Sequence, residues 1–136
     1  MKIKTDFVTN SSSTCFVIIS NDEFTLPKFI KAAGIKETSV FTDVFQMLFE
    51  TFKDKMTPAR EYFERYKDEG ETFEEFITKA FSKNTVERII EAEKFDKLVF
   101  FGDLASDNTE LEGYFCTDSF IIESNDLYID ATEYGW

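Results

Sequence analysis

The chain has 136 residues, a net charge of −12 and no histidine, a length that predicts one domain with a real core. The missing imidazole removes Ser-His-Asp and Cys-His nucleophile systems, histidine zinc sites and the commonest general base. The acidic field disfavours direct binding to nucleic acid, and no run approaches the ~18 to 20 apolar residues that span a bilayer.

Residues Asp6 to Ser20 read DFVTNSSSTCFVIIS, a polar serine tract that passes directly into an apolar run. Asn and Ser side chains compete with the backbone for hydrogen bonds, so Asn10 to Ser13 are expected in a loop. Cys15 to Ile19, rich in β-branched residues, predict a strand buried on both faces. Backbone N–H groups of the tract could cradle an anion, and its hydroxyls could be modified by a kinase. A phosphate cradle also needs a lysine and a following helix, and neither is there, so a plain turn is the expectation. Asn10-Ser11-Ser12 fits a glycosylation acceptor in form only.

With Phe7, Val8, Thr9, Asn10, Ser11, Ser12, Ser13 and Phe16 in place, this opening resembles that of small bacterial and phage proteins of unknown function. Those begin with basic residues, Phe-Val, Ser or Thr, Asn, a serine run and Phe. Thr14 and Cys15 depart from the pattern, where further serines are usual. The resemblance implies a bacterial or phage setting and no particular activity. Lys2 and Lys4 are followed by polar residues, which predicts no signal peptide and a cytoplasmic protein.

Next, Thr25 is expected to cap a short helix through Ala33, with Pro27 in its first turn and Gly34 at its end. From Thr38 to Lys55, Phe41, Val44, Phe45, Leu48 and Phe52 recur at spacings of three and four, which predicts a longer helix with a core-facing aromatic stripe. Thr57-Pro58 reads as a cap with proline at the first helical position, opening a surface helix through Asp68 that Gly70 closes. Thr72 and Glu75 match a capping box for a helix ending near Ser82. Asn84 with Glu87 is expected to start a further helix running to Lys94.

From Lys97 the period changes to that of strands. Lys97 to Phe101 predict a strand that Gly102-Asp103 ends, and Asp107 or Asn108 could cap a brief helix over Thr109 to Tyr114. Ser119 to Glu123 and Leu127 to Ala131, joined by Asn125-Asp126, read as a hairpin. Cys15 and Cys116, each beside a phenylalanine, are expected as buried thiols. The whole predicts a single α+β domain: a polar tract over 1–13, a strand over 14–20, a helical segment over 25–95, and strands with a hairpin over 97–136. The sheet has about four strands drawn from both chain ends, with the helices as a layer on one face.

Two constellations stand out. Asp103, at a strand end, with Asp107, Glu110 and Glu112 offers the carboxylates that Mg²⁺ or Ca²⁺ requires, although a solvated acidic loop is the plainer expectation. The segment GDLASDN resembles part of the metallophosphoesterase pattern, but the histidines that such enzymes need have no counterpart here. No catalytic residue is assigned and no cofactor is expected beyond that cation.

The second constellation is electrostatic. Residues 97–136 hold nine acids against one base, −8 of the net −12. Tyr114, Tyr128, Tyr134 and Trp136, interleaved with Asp126, Asp130 and Glu133, form a candidate binding face, because acids steer a basic partner and aromatics hold it. The leading expectation is therefore a non-enzymatic acidic protein that engages a basic protein surface. The alternative is a small metal-dependent enzyme at the 103–112 loop.

Overall fold

Alternation along one strand determines the architecture. In the computed structural model, which describes residues 13–36, 40–105 and 120–133, strand β1 (Ser13–Ser20) lies at the centre of a five-stranded antiparallel sheet. Cys15, Val17 and Ile19 point to one face, Phe16 and Ile18 to the other, and all five are buried. A strand with both faces covered needs apolar residues at every position, which is what CFVII supplies.

The helices fall in chain order: α1 (Leu26–Ala33), α2 (Thr42–Lys55), α3 (Ala59–Tyr66), α4 (Phe73–Thr78) and α5 (Lys83–Lys94). The remaining strands are β2 (Thr57–Pro58), β3 (Leu98–Ala105), β4 (Phe120–Glu123) and β5 (Leu127–Glu133). The sheet order is β2-β3-β1-β5-β4. β1 pairs with β3 from Ser13↔Ala105 to Ser20↔Leu98 and with β5 from Thr14↔Glu133 to Ser20↔Leu127. The α+β fold and the recruitment of strands from both chain ends are as the residue pattern predicts.

The expected single helical layer is corrected. α1 and α2 cover one face, packing Phe29, Leu48 and Phe52 against Phe16, Ile18, Leu104 and Ile129. α3, α4 and α5 cover the other, packing Tyr62, Phe63, Phe76, Ile77 and Ile89 against Val17, Phe101 and Tyr128. Phe16 meets Phe52 edge-on at 4.8 Å, and Phe101 stacks with Phe73 at 6.0 Å. Each buried phenylalanine stabilises the fold by roughly 1.5–3 kcal/mol, so the aromatic-rich composition supplies two cores instead of one.

Several ends follow local chemistry. Thr25 Oγ1 accepts from the Lys28 N–H, and Gly34 closes α1 at φ 76°, a conformation glycine adopts without strain. Thr72 and Glu75 complete a reciprocal capping box at 3.1 and 2.9 Å, although α4 stops at Thr78. α5 begins a residue before Asn84, because Ser82 is the cap: its Oγ accepts from Thr85 N–H at 3.3 Å.

Thr57-Pro58 is also corrected. These residues add a two-residue edge strand opposite Phe101 and Phe100, where a proline lacking an N–H is tolerated, and Pro58 takes the N-cap place without a side-chain bond. α3 is shorter than expected and buries Ala59, Tyr62 and Phe63.

Gly102 does not end β3, which continues to Ala105. The Phe16 ring lies across Gly102, so the glycine marks a close approach and not a turn. Cys15 is buried as expected, its Sγ 4.0 Å from the Ala80 carbonyl oxygen; Cys116 and the expected 109–114 helix lie outside the described residues.

Candidate functional site

The residues singled out from sequence separate into three groups. Phe7, Val8, Thr9, Asn10, Ser11 and Ser12, together with Asp107, Glu110, Glu112, Tyr114, Tyr134 and Trp136, lie outside the described residues, as does the Glu133 side chain. Ser13 opens β1, and Phe16 is a core residue. Asp103, Asp126, Tyr128 and Asp130 have defined surroundings.

Asp103 is exposed on the α3 side of β3. Burial, and then the Asp103 carboxylate, push the Tyr62 phenol well above the ordinary tyrosine range. Among the described residues, no group of three histidine, cysteine, aspartate or glutamate side chains gathers to hold a metal.

Tyr128 and Asp130 do not face solvent. Alternation along β5 turns both beneath α5, where they meet Thr85, and all three are buried. Thr85 Oγ1 donates to Asp130 Oδ2 at 2.6 Å, and the 2.7 Å contact with Tyr128 leaves the phenol to donate in return, since the threonine proton is already committed. The cluster pins the first turn of α5 to β5. Thr85→Val should therefore lower stability by about 1–3 kcal/mol, because a buried carboxylate loses a donor, while Thr85→Ser should restore most of it. Denaturant unfolding of the two variants checks this.

Beside the cluster, a cavity of about 90 Å³ is lined by Asn21, Arg88, Glu91, Lys97, Asp126 and Tyr128 among others. The Arg88 guanidinium lies 4.3 Å over the Tyr128 ring and donates to Glu123 Oε2 at 2.6 Å. Its Nε is buried with no acceptor among the described residues. Asn21 N–H donates to the Asp126 carbonyl at 3.2 Å and its side chain to Asp126 Oδ1 at 3.3 Å, joining the turn after β1 to the hairpin turn. Lys97 and Arg88 are offset here by Glu91 and Asp126, so the cavity has no strong preference for either sign of charge.

The aromatic stripe of α2 is wider than the surface it covers. Leu48 and Phe52 are buried, and Phe45 and Phe49 pack at the edge of the core, with Phe49 4.9 Å from Phe24. Phe41 and Val44, expected in the core, are exposed, as is Met47. Val44 and Met47 lie on the flank of the helix that turns away from the sheet, whereas Phe41, in line with Phe45, Leu48 and Phe52, is the N-cap residue at the helix entry.

Thr85 and Arg88 are absent from the sequence-based candidates. Thr85 was legible in principle: a threonine one place before Val86, within the apolar line of an amphipathic helix, needs a polar partner when buried.

No family model, no curated protein and no solved structure matches this chain.

Proposed function

We propose that this protein is a non-enzymatic interaction protein of bacteria or their phages whose acidic exterior engages a basic protein surface. The observation that supports it is how the charges are distributed. Lys28 pairs with Asp22, Arg65 with Glu61, Lys67 with Glu64 and Arg88 with Glu123. Arg60 holds Glu93 through two bonds at 2.8 and 3.0 Å, and Lys79 reaches both Glu71 and Asp68. The Lys79 hydrogen bond also holds the Glu71 carboxyl below its usual range.

Such surface pairs contribute little to stability, about 0–1 kcal/mol each. Their consequence is electrostatic: Lys28, Arg60, Arg65, Lys67, Lys79 and Arg88 are matched by carboxylates within the chain, while Glu50, Asp54, Glu74, Glu87 and Glu91 stand exposed on a chain whose net charge is −12. A surface made to receive phosphates, as on a nucleic-acid-binding protein, is one target that such an exterior can compete for.

The test is affinity capture by the full chain, followed by reconstitution with the purified partner at low and high salt. A basic partner bound at low salt and released at high salt is the expected result. A partner whose affinity does not change with salt, or no partner at all, would count against the reading.

A further inference from the structure

We infer that the outward flank of α2 is the docking surface for a basic amphipathic segment of another protein, a proposal that rests on the interaction reading and names its contact site. Val44, Met47 and Thr51 follow one another at spacings of three and four, which places them on one line along the helix, and Val40 stands two residues before its start. Val40, Val44 and Met47 are 86%, 37% and 53% exposed, while Leu48 and Phe52 on the adjoining line are fully buried. Apolar side chains in a continuous exposed line mark a contact surface more often than scattered ones do.

A second line runs beside the first. Asp43, Glu50 and Asp54, at spacings of seven and four, are all exposed on the edge next to Met47. Helix stability accounts for Asp43, which lies in the first turn. It does not account for Asp54, since the dipole disfavours a carboxylate in the last turn.

An apolar line with an acidic edge is complementary to a helix that carries an apolar stripe beside lysine or arginine. It is a poor match for its own copy. Two α2 helices packed antiparallel through this flank bring equivalent edges together, so the acidic lines would oppose each other.

The probe is a synthetic leucine–lysine helical peptide of about eighteen residues with one apolar face, titrated into the full chain by fluorescence anisotropy at low and at physiological salt. Saturable binding is expected. Val44→Ser with Met47→Ser should weaken it about tenfold, as should Asp43→Asn with Glu50→Gln and Asp54→Asn, and both sets should leave thermal stability nearly unchanged. Binding that responds only to Glu123→Gln and Asp126→Asn would overturn this inference and leave the interaction reading standing. No binding of the peptide, and none of any basic protein in the capture experiment, would remove both. A dimer of the chain alone that Val44→Ser dissociates would make a second copy the occupant and overturn the proposal.

Discussion

Gly102→Ala is expected to destabilise the fold by about 3 kcal/mol, a large effect for one methyl group. A Cβ there would sit 2.4 Å from Phe16 Cζ, 2.8 Å from Phe16 Cε2 and 2.9 Å from the Lys55 carbonyl oxygen. None of these atoms can easily give way. Phe16 is fully buried and held edge-on by Phe52, and the Lys55 carbonyl belongs to the end of α2. The measurement is the midpoint of urea unfolding at unchanged slope. Adding Phe16→Leu should recover part of the loss, which a double-mutant cycle reads as coupling between the two positions. A Gly102→Ala variant within about 0.5 kcal/mol of the parent would mean that the ring does not cross the strand there.

The second large effect is expected at Phe101. Its ring is fully buried, with Tyr62, Phe73 and Phe81 each at 6.0 Å and Phe76 at 6.4 Å, so residues of α3 and α4 and of the turn before α5 converge on it. Phe101→Ala removes the common neighbour of that layer and should cost about 3–5 kcal/mol in the same unfolding measurement. Phe95, 67% exposed at the end of α5, is the control, and Phe95→Ser should move stability by no more than about 0.5 kcal/mol. Similar losses at the two positions would contradict a core centred on Phe101.

What could be read from the sequence was local. The Thr25, Pro27 and Gly34 pattern gives α1 both of its ends, Thr72 with Glu75 gives the start of α4, and the residues around Asn125-Asp126 give the hairpin. Each depends on neighbours within a few residues. The errors arise where a distant residue decides. Gly-Asp resembles a turn until Phe16 is known to lie across Gly102. Tyr128 and Asp130 resemble surface anchors until Thr85 is placed opposite them.

The second helical layer was partly legible. β1 is apolar at successive positions and β3 carries Phe100 beside Phe101, so both require cover on two faces, and a single layer cannot provide that. The stripe of α2 misled in the opposite direction, since spacing identifies a line of apolar residues and cannot tell how much of it the sheet will cover.

The outward flank of α2 is the contact on which the proposed function turns. Amide hydrogen exchange of the full chain, alone and saturated with the leucine–lysine peptide, tests it most directly. Slower exchange is expected in residues 40–55, with little change in β4 and β5. Protection confined to residues 97–136, or no change anywhere under saturating peptide, would contradict it.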